Sequence, residues 1–198
     1  MSTKCESCHG DLGPTPIPCS ICNNSVYCSP TCSSTPSLHA TFCTSLQNFQ
    51  AQPTNHFRAI QFPRRDDAPR FVWLSHLTTS ISTQLVPNTQ DIKDFLEPTP
   101  AHADGPFFEA LPTFTCQHCG IEIEVYCLRE RDRTSGDIGR NKAFMSVYDG
   151  LREKVWRGGL LARGFARGGT THQPRNLETG CAIEVVRVLK EQMEGGEN

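Results

Sequence analysis

The sequence has no long hydrophobic run. No stretch of its 198 residues approaches the ~18–20 consecutive apolar residues that a membrane span requires. It also carries little net charge, −2 from 19 Lys+Arg against 21 Asp+Glu, and no dense Lys/Arg cluster of the kind that directs nuclear import. The opening residues Met1-Ser2-Thr3-Lys4-Cys5-Glu6 contain no apolar segment, so a secretory signal is not expected. That predicts an intracellular chain, in nucleus or cytoplasm. No internal repeat is present. At 37% hydrophobic and 20% charged residues, the chain is too apolar and too weakly charged for wholesale disorder. Its length suits one ordinary domain or two small ones. Residues 1–50 are poor in both currencies of folding: Lys4, Glu6 and Asp11 are their only Lys, Arg, Asp or Glu, and large apolar side chains are few. Such a segment needs a staple.

Cysteine supplies one. Seven of the eleven cysteines fall in the first 43 residues, in the steps Cys5-x2-Cys8, Cys19-x2-Cys22 and Cys28-x3-Cys32, followed by His39-x3-Cys43. In a reducing compartment thiols stay reduced, and paired cysteines read as metal ligands rather than disulfides. A disulfide framework would also leave His39 unexplained. Zinc takes four N/S ligands in a closed tetrahedron, so seven Cys and one His suit two ions. A two-residue gap lets one tight turn offer two thiolates to one ion. A three-residue gap places ligands at i and i+4 on one face of a helical turn, which predicts short helices at 28–32 and 39–43. His9 follows Cys8 but lies outside the paired scheme and reads as a surface histidine. Spacing alone is satisfied by sequential and by interleaved pairing of these ligands.

The run from Cys5 to Cys43, with the Tyr27-Cys28-Ser29 step, resembles a MYND-type zinc finger. The resemblance implies interleaved sites: Cys5, Cys8, Cys28 and Cys32 for one zinc, and Cys19, Cys22, His39 and Cys43 for the other. It also implies a protein–protein interaction module, some members of which grip proline-containing peptides. The family often has Gln after the sixth cysteine, Trp three before the histidine and Lys after it. Here Ser33, Pro36 and Ala40 stand at those places. MYND fingers also occur within SET-domain lysine methyltransferases, but no SET-type Asn-His motif is present and that activity is not expected.

Beyond the finger, helical periodicity continues through Leu46 and Phe49. Residues 51–70, with Pro53, Pro63 and Pro69, read as a polar connector, and 71–198 as an α+β domain. Phe71–Leu74 and Ile121–Leu128 read as strands, the second with one charged face. Residues 77–96 hold amphipathic stretches, and 97–113, rich in proline, read as loop. Asn141–Tyr148 reads as a short helix and Gly158–Phe165 as a strand. Leu177–Met193 reads as a helix on the i+4 series Cys181, Val185, Leu189 and Met193. The stretches Pro69–Leu74, Asn141-Lys142-Ala143 and Trp156–Gly159, with the last helix, resemble the carboxy-terminal region of some fungal MYND-finger proteins. That resemblance implies a shared α+β domain and assigns no catalytic residue.

Three further constellations carry other chemistry. Cys116-Gln117-His118-Cys119, with Cys127 eight residues on, has the makings of a third zinc site whose fourth ligand would come from His118, His102 or Cys181. Cys119 beside His118, with acids such as Glu122 and Asp104, has the residue types of a thiol enzyme, although neighbours on a strand point apart. Residues 129–168 hold ten Lys/Arg against five Asp/Glu, and the Arg-Gly steps around 157–169 resemble RNA contacts in which guanidinium and aromatic faces stack on bases. The reading that best unites these features is a small zinc-stabilised finger followed by an α+β domain. It is a non-catalytic interaction protein that captures a protein partner, with RNA binding and Cys119 chemistry as the alternatives.

Overall fold

The computed structural model describes residues 5, 8, 10–23, 25–34, 37–47, 49, 51–66, 68–78, 85–96, 108–117, 119–128, 140–147, 156–168 and 171–194. Its contacts divide the chain into two units, Met1–Gln50 and Ala51–Asn198.

The first unit holds two short strands and two helices. Strand β1 (Ile17–Pro18) pairs antiparallel with β2 (Val26–Tyr27), Ile17 facing Tyr27. The turn between them places Asn23 at φ 56°, a left-handed conformation that Asn tolerates. Helix α1 (Pro30–Ser34) starts with proline at its first position and is capped by Ser29, whose Oγ accepts the Cys32 N–H at 3.2 Å. Helix α2 (Leu38–Gln47) is capped the same way by Ser37, which accepts the Ala40 N–H at 3.2 Å. Residues His39 and Cys43 therefore share one face of α2, while Cys28 precedes α1 and Cys32 lies inside it. One buried cluster consists of Cys5, Cys19, Tyr27 and Cys43, with Leu12, Ile17 and Ile21 packed around them, and Phe42 is fully buried as well.

The second unit is an antiparallel sheet with few helices. In chain order it comprises β3 (His56–Phe62), β4 (Arg70–Thr78), β5 (Leu85–Pro87), α3 (Thr89–Leu96), β6 (Phe108–Ala110), β7 (Phe114–Thr115), β8 (Glu122–Leu128), α4 (Lys142–Val147), β9 (Leu160–Gly168), β10 (Thr171–Arg175) and α5 (Thr179–Glu194). The eight strands run β5-β4-β3-β9-β8-β6, with β10 also on β9 and β7 also on β8. Strand β9 is the hub. One edge pairs with β8, and the other is shared by β3, at Leu160–Ala162, and β10, at Gly164–Gly168.

One sheet face is closed by α3, whose Ile92 and Leu96 pack with Ala59, Leu74, Tyr126, Leu128 and Leu161. The close approach is secured by Gly159, where a Cβ would lie 2.8 Å from backbone atoms of Phe95 and Leu96. Asn141 is fully buried and ties three segments: its Nδ2 donates to the carbonyls of Phe62 and Gly158 at 2.7 Å each, and its Oδ1 caps α4 by accepting the Phe144 N–H.

The connector assigned to residues 51–70 is corrected here, because 56–62 form β3 in the middle of the sheet. Polar residues hid it. Gln61 is buried, donating to the Phe95 carbonyl at 2.9 Å and accepting from Arg70 at 3.0 Å. Arg58 donates to the Leu177 carbonyl and lies over the Phe71 ring. The loop assigned to 97–113 likewise yields β6, while 97–107 lie outside the described residues. No helix among the described residues is long and apolar enough to cross a membrane.

Candidate metal centres

The eight finger residues converge as two groups, Cys5, Cys8, Cys28 and Cys32 in one, and Cys19, Cys22, His39 and Cys43 in the other, with the ligand atoms of each within 4.8 Å of one another. The pairs interleave along the chain. Turn geometry delivers each thiol. The Cys5 N–H donates to the Gly10 carbonyl at 2.8 Å, closing the first Cys-x2-Cys turn; the Asn23 N–H donates to the Cys19 carbonyl at 2.9 Å, closing the second. Helix α1 then brings Cys32 to Cys28, and α2 brings His39 and Cys43 to Cys19 and Cys22.

The separations suit a tetrahedral ion. Four sulfurs about 2.3 Å from zinc lie about 3.8 Å apart. Cys8–Cys28 and Cys28–Cys32 are separated by 3.6 Å, Cys19–Cys43 by 3.5 Å, and Cys22 Sγ from His39 Nε2 by 3.8 Å. Disulfide sulfurs would be about 2 Å apart. The histidine is aimed by a residue that spacing does not reveal: buried Ser25 places its Oγ 2.8 Å from Nδ1. A proton on Nδ1 donated to Ser25 leaves the Nε2 lone pair facing the thiols. Tyr27 meets the same ring edge-on at 6.0 Å.

The electrostatics favour a cation. Cys28 is pushed up to about 12, first by Cys32 and then by Cys8 and Cys5 crowding it. Burial, then Cys19, pushes the Cys43 thiol up. Cys19 goes the other way: burial raises it, but the Cys22 N–H, His39 and the Ile21 N–H together bring it down to about 6. Four thiolates cannot crowd together unaided, and a divalent cation that replaces their protons removes the conflict. The donor set is soft and closed, as structural zinc sites are.

A groove of about 240 Å3 opens on the second group itself: Cys19, His39 and Cys43 line it together with Ile17, Ile21, Tyr27, Ala40 and Thr44.

A third group assembles in the second unit from Cys116, Cys119 and Cys181. Of the three candidate fourth partners for the Cys116–Cys119 step, Cys181 is the one brought in; His118 and His102 lie outside the described residues. Cys127, fully buried on β8, is not a member.

The remaining candidates fare differently. Although Cys119 is exposed as a residue, partial desolvation of its sulfur pushes the thiol up, against the lowered value that an activated nucleophile needs. Asp104, the suggested acid, lies outside the described residues, as do 129–139 and 148–155 of the basic stretch. Within that stretch Arg163 is buried against Glu124, Nε to Oε2 at 2.7 Å, across the β8–β9 register, with its guanidinium over Tyr126 and Phe165. It is spoken for, and does not offer a free face to a nucleic acid. His9 also lies outside the described residues. Comparison with known proteins identifies no relative: no family model, no curated protein and no solved structure matches the chain.

Proposed function

We propose that the chain is a zinc-stabilised protein–protein interaction module of the MYND type, a non-catalytic adaptor or regulator that captures a partner on its finger. The groove at the Cys19, Cys22, His39 and Cys43 group carries this reading. Two zinc ions, one held by Cys5, Cys8, Cys28 and Cys32 and the other by that second group, would fix the groove's walls without a large apolar core. Among its described lining residues are no Lys, Arg, Asp or Glu. Apolar Ile17, Ile21 and Ala40 beside the Ser20 and Thr44 hydroxyls suit a neutral, extended segment. A proline-containing peptide, preformed and without internal hydrogen bonds, meets that description. A role in transcriptional regulation or regulated degradation follows from the family resemblance alone.

The test is a pull-down from the native source with metal analysis on the same samples. Ala40→Glu introduces a charge into the groove and should lower partner capture at least tenfold while leaving the finger's zinc in place. Cys22→Ser should abolish capture and remove the ion of the second group. Capture that survives both substitutions would move the interaction to residues 60–190 and sink the proposal.

A further inference from the structure

We infer that Cys116, Cys119 and Cys181 form a third metal site, separate from the finger, that takes a thiophilic divalent ion of the zinc class.

The backbone around Cys116 is built like the finger's own ligand turns. The Cys116 N–H donates to the Ile121 carbonyl at 2.8 Å, the same five-residue reach by which the Cys5 N–H meets the Gly10 carbonyl at 2.8 Å. The Gly120 N–H donates back to the Cys116 carbonyl at 2.8 Å, as Asn23 does to Cys19 at 2.9 Å. In both turns the residue after the second cysteine has positive φ, 70° at Gly120 and 56° at Asn23. That reversal lets two thiols of a Cys-x2-Cys step point at one spot.

The third thiol arrives from far along the chain. Cys181 lies in the first turn of α5 and its sulfur is 3.1 Å from Cys119, across 62 residues of sequence. General crowding of cysteines in the core does not explain this, because Cys127 is as deeply buried and stays out of the group. Cys116 and Cys181 are buried while Cys119 is exposed, and a water or a further side chain would complete the coordination. Soft thiolate donors select zinc over calcium or magnesium. Binding exchanges three thiol protons for the ion: three S–H bonds break, three S–metal bonds form and three protons leave to solvent. The ion would tie α5 to the β7–β8 turn.

Zinc content and alkylatable thiols in denaturant, measured on the full chain purified under reducing conditions, test the site. Wild type should carry three zinc and eleven reactive thiols. Cys119→Ser and Cys181→Ser should each lose one ion, and Cys181→His, which keeps a ligand, should retain it and so separate ligand loss from misfolding. Zinc content unchanged in both serine variants overturns the site. So does a wild type with two zinc, whether all eleven thiols react or only nine, the latter meaning a Cys119–Cys181 disulfide. A chain that binds one ion fewer in Cys22→Ser but not in Cys181→Ser supports the finger alone and overturns the third site.

Discussion

The Ser25 hydroxyl oxygen lies 2.8 Å from Nδ1 of His39, while the other ring nitrogen faces Cys22 at 3.8 Å. A proton on Nδ1, donated to that hydroxyl, would leave Nε2 to bind a metal. Ser25→Ala should weaken zinc at the Cys19, Cys22, His39 and Cys43 group by about 10–100-fold and leave the all-cysteine group unchanged. Competition against a chelator of known affinity, resolving two finger sites, measures this.

Two glycines, Gly159 just before β9 and Gly164 within it, should respond unequally to alanine. At Gly159 the new methyl would sit 2.8 Å from the Leu96 Cα, the Leu96 oxygen and the Phe95 oxygen, all backbone, so α3 must shift. The expected cost is about 2–3 kcal/mol. At Gly164 the closest atoms are the ends of Leu177 and Ile121 side chains, at 2.6 and 2.8 Å, which can rotate away. There the cost should stay below about 1 kcal/mol. Urea midpoints of the two variants give the comparison.

Asn141→Ala removes a cap and two cross-links at once. The Phe62 and Gly158 carbonyls would be left buried beside a methyl group, and the expected loss is about 3 kcal/mol. Asn141→Asp keeps the capping oxygen but sets a buried carboxylate oxygen against the Phe62 and Gly158 carbonyls, so its denaturation midpoint at neutral pH should lie no higher than that of alanine.

His76 predicts a pH dependence. It is buried edge-on to Phe57, its Nδ1 lies 3.2 Å from the Leu74 carbonyl, and its Nε2 has no hydrogen-bond partner among the described residues. Burial, opposed by the Leu74 contact, lowers it from 6.5 to about 4. The folded state therefore holds the neutral ring while the unfolded chain takes up a proton. Stability from this group is complete above about 6.5, declines as pH falls toward about 4 and is flat below. His76→Phe should lose that slope, read as the difference between variant and wild-type unfolding curves across pH with zinc held in excess.

The grouping of Cys5 to Cys43 was legible in the sequence, because residues that could ligate a metal carry a characteristic spacing. Residues Cys5 to Cys43 come together in groups because Cys-x2-Cys turns and i, i+4 helical steps have few other geometries. Ser25 was illegible: a serine in a loop carries no mark of the ring it will meet. Strand β3 was illegible for the opposite reason. Its Arg58 and Gln61 look solvent-facing until Leu177, Phe95 and Arg70 arrive to satisfy them. The helix at 179–194 was plain from its apolar period. Cys181, on that period, stood in the sequence as one of three candidate partners for the Cys116–Cys119 step, and the fold sets it beside Cys119.

The shared edge of β9 governs how the second unit can be made. Strand β3 pairs with β4 a few residues away, so that hairpin can close early. Its other neighbour, Leu160–Ala162, is about a hundred residues downstream, and a loop of that size is slow to close. During synthesis the hairpin must therefore wait with Ile60 and Phe62 uncovered until β9 has been made. A chain cut before residue 160 should expose this sticky strand edge and aggregate, however sound its finger.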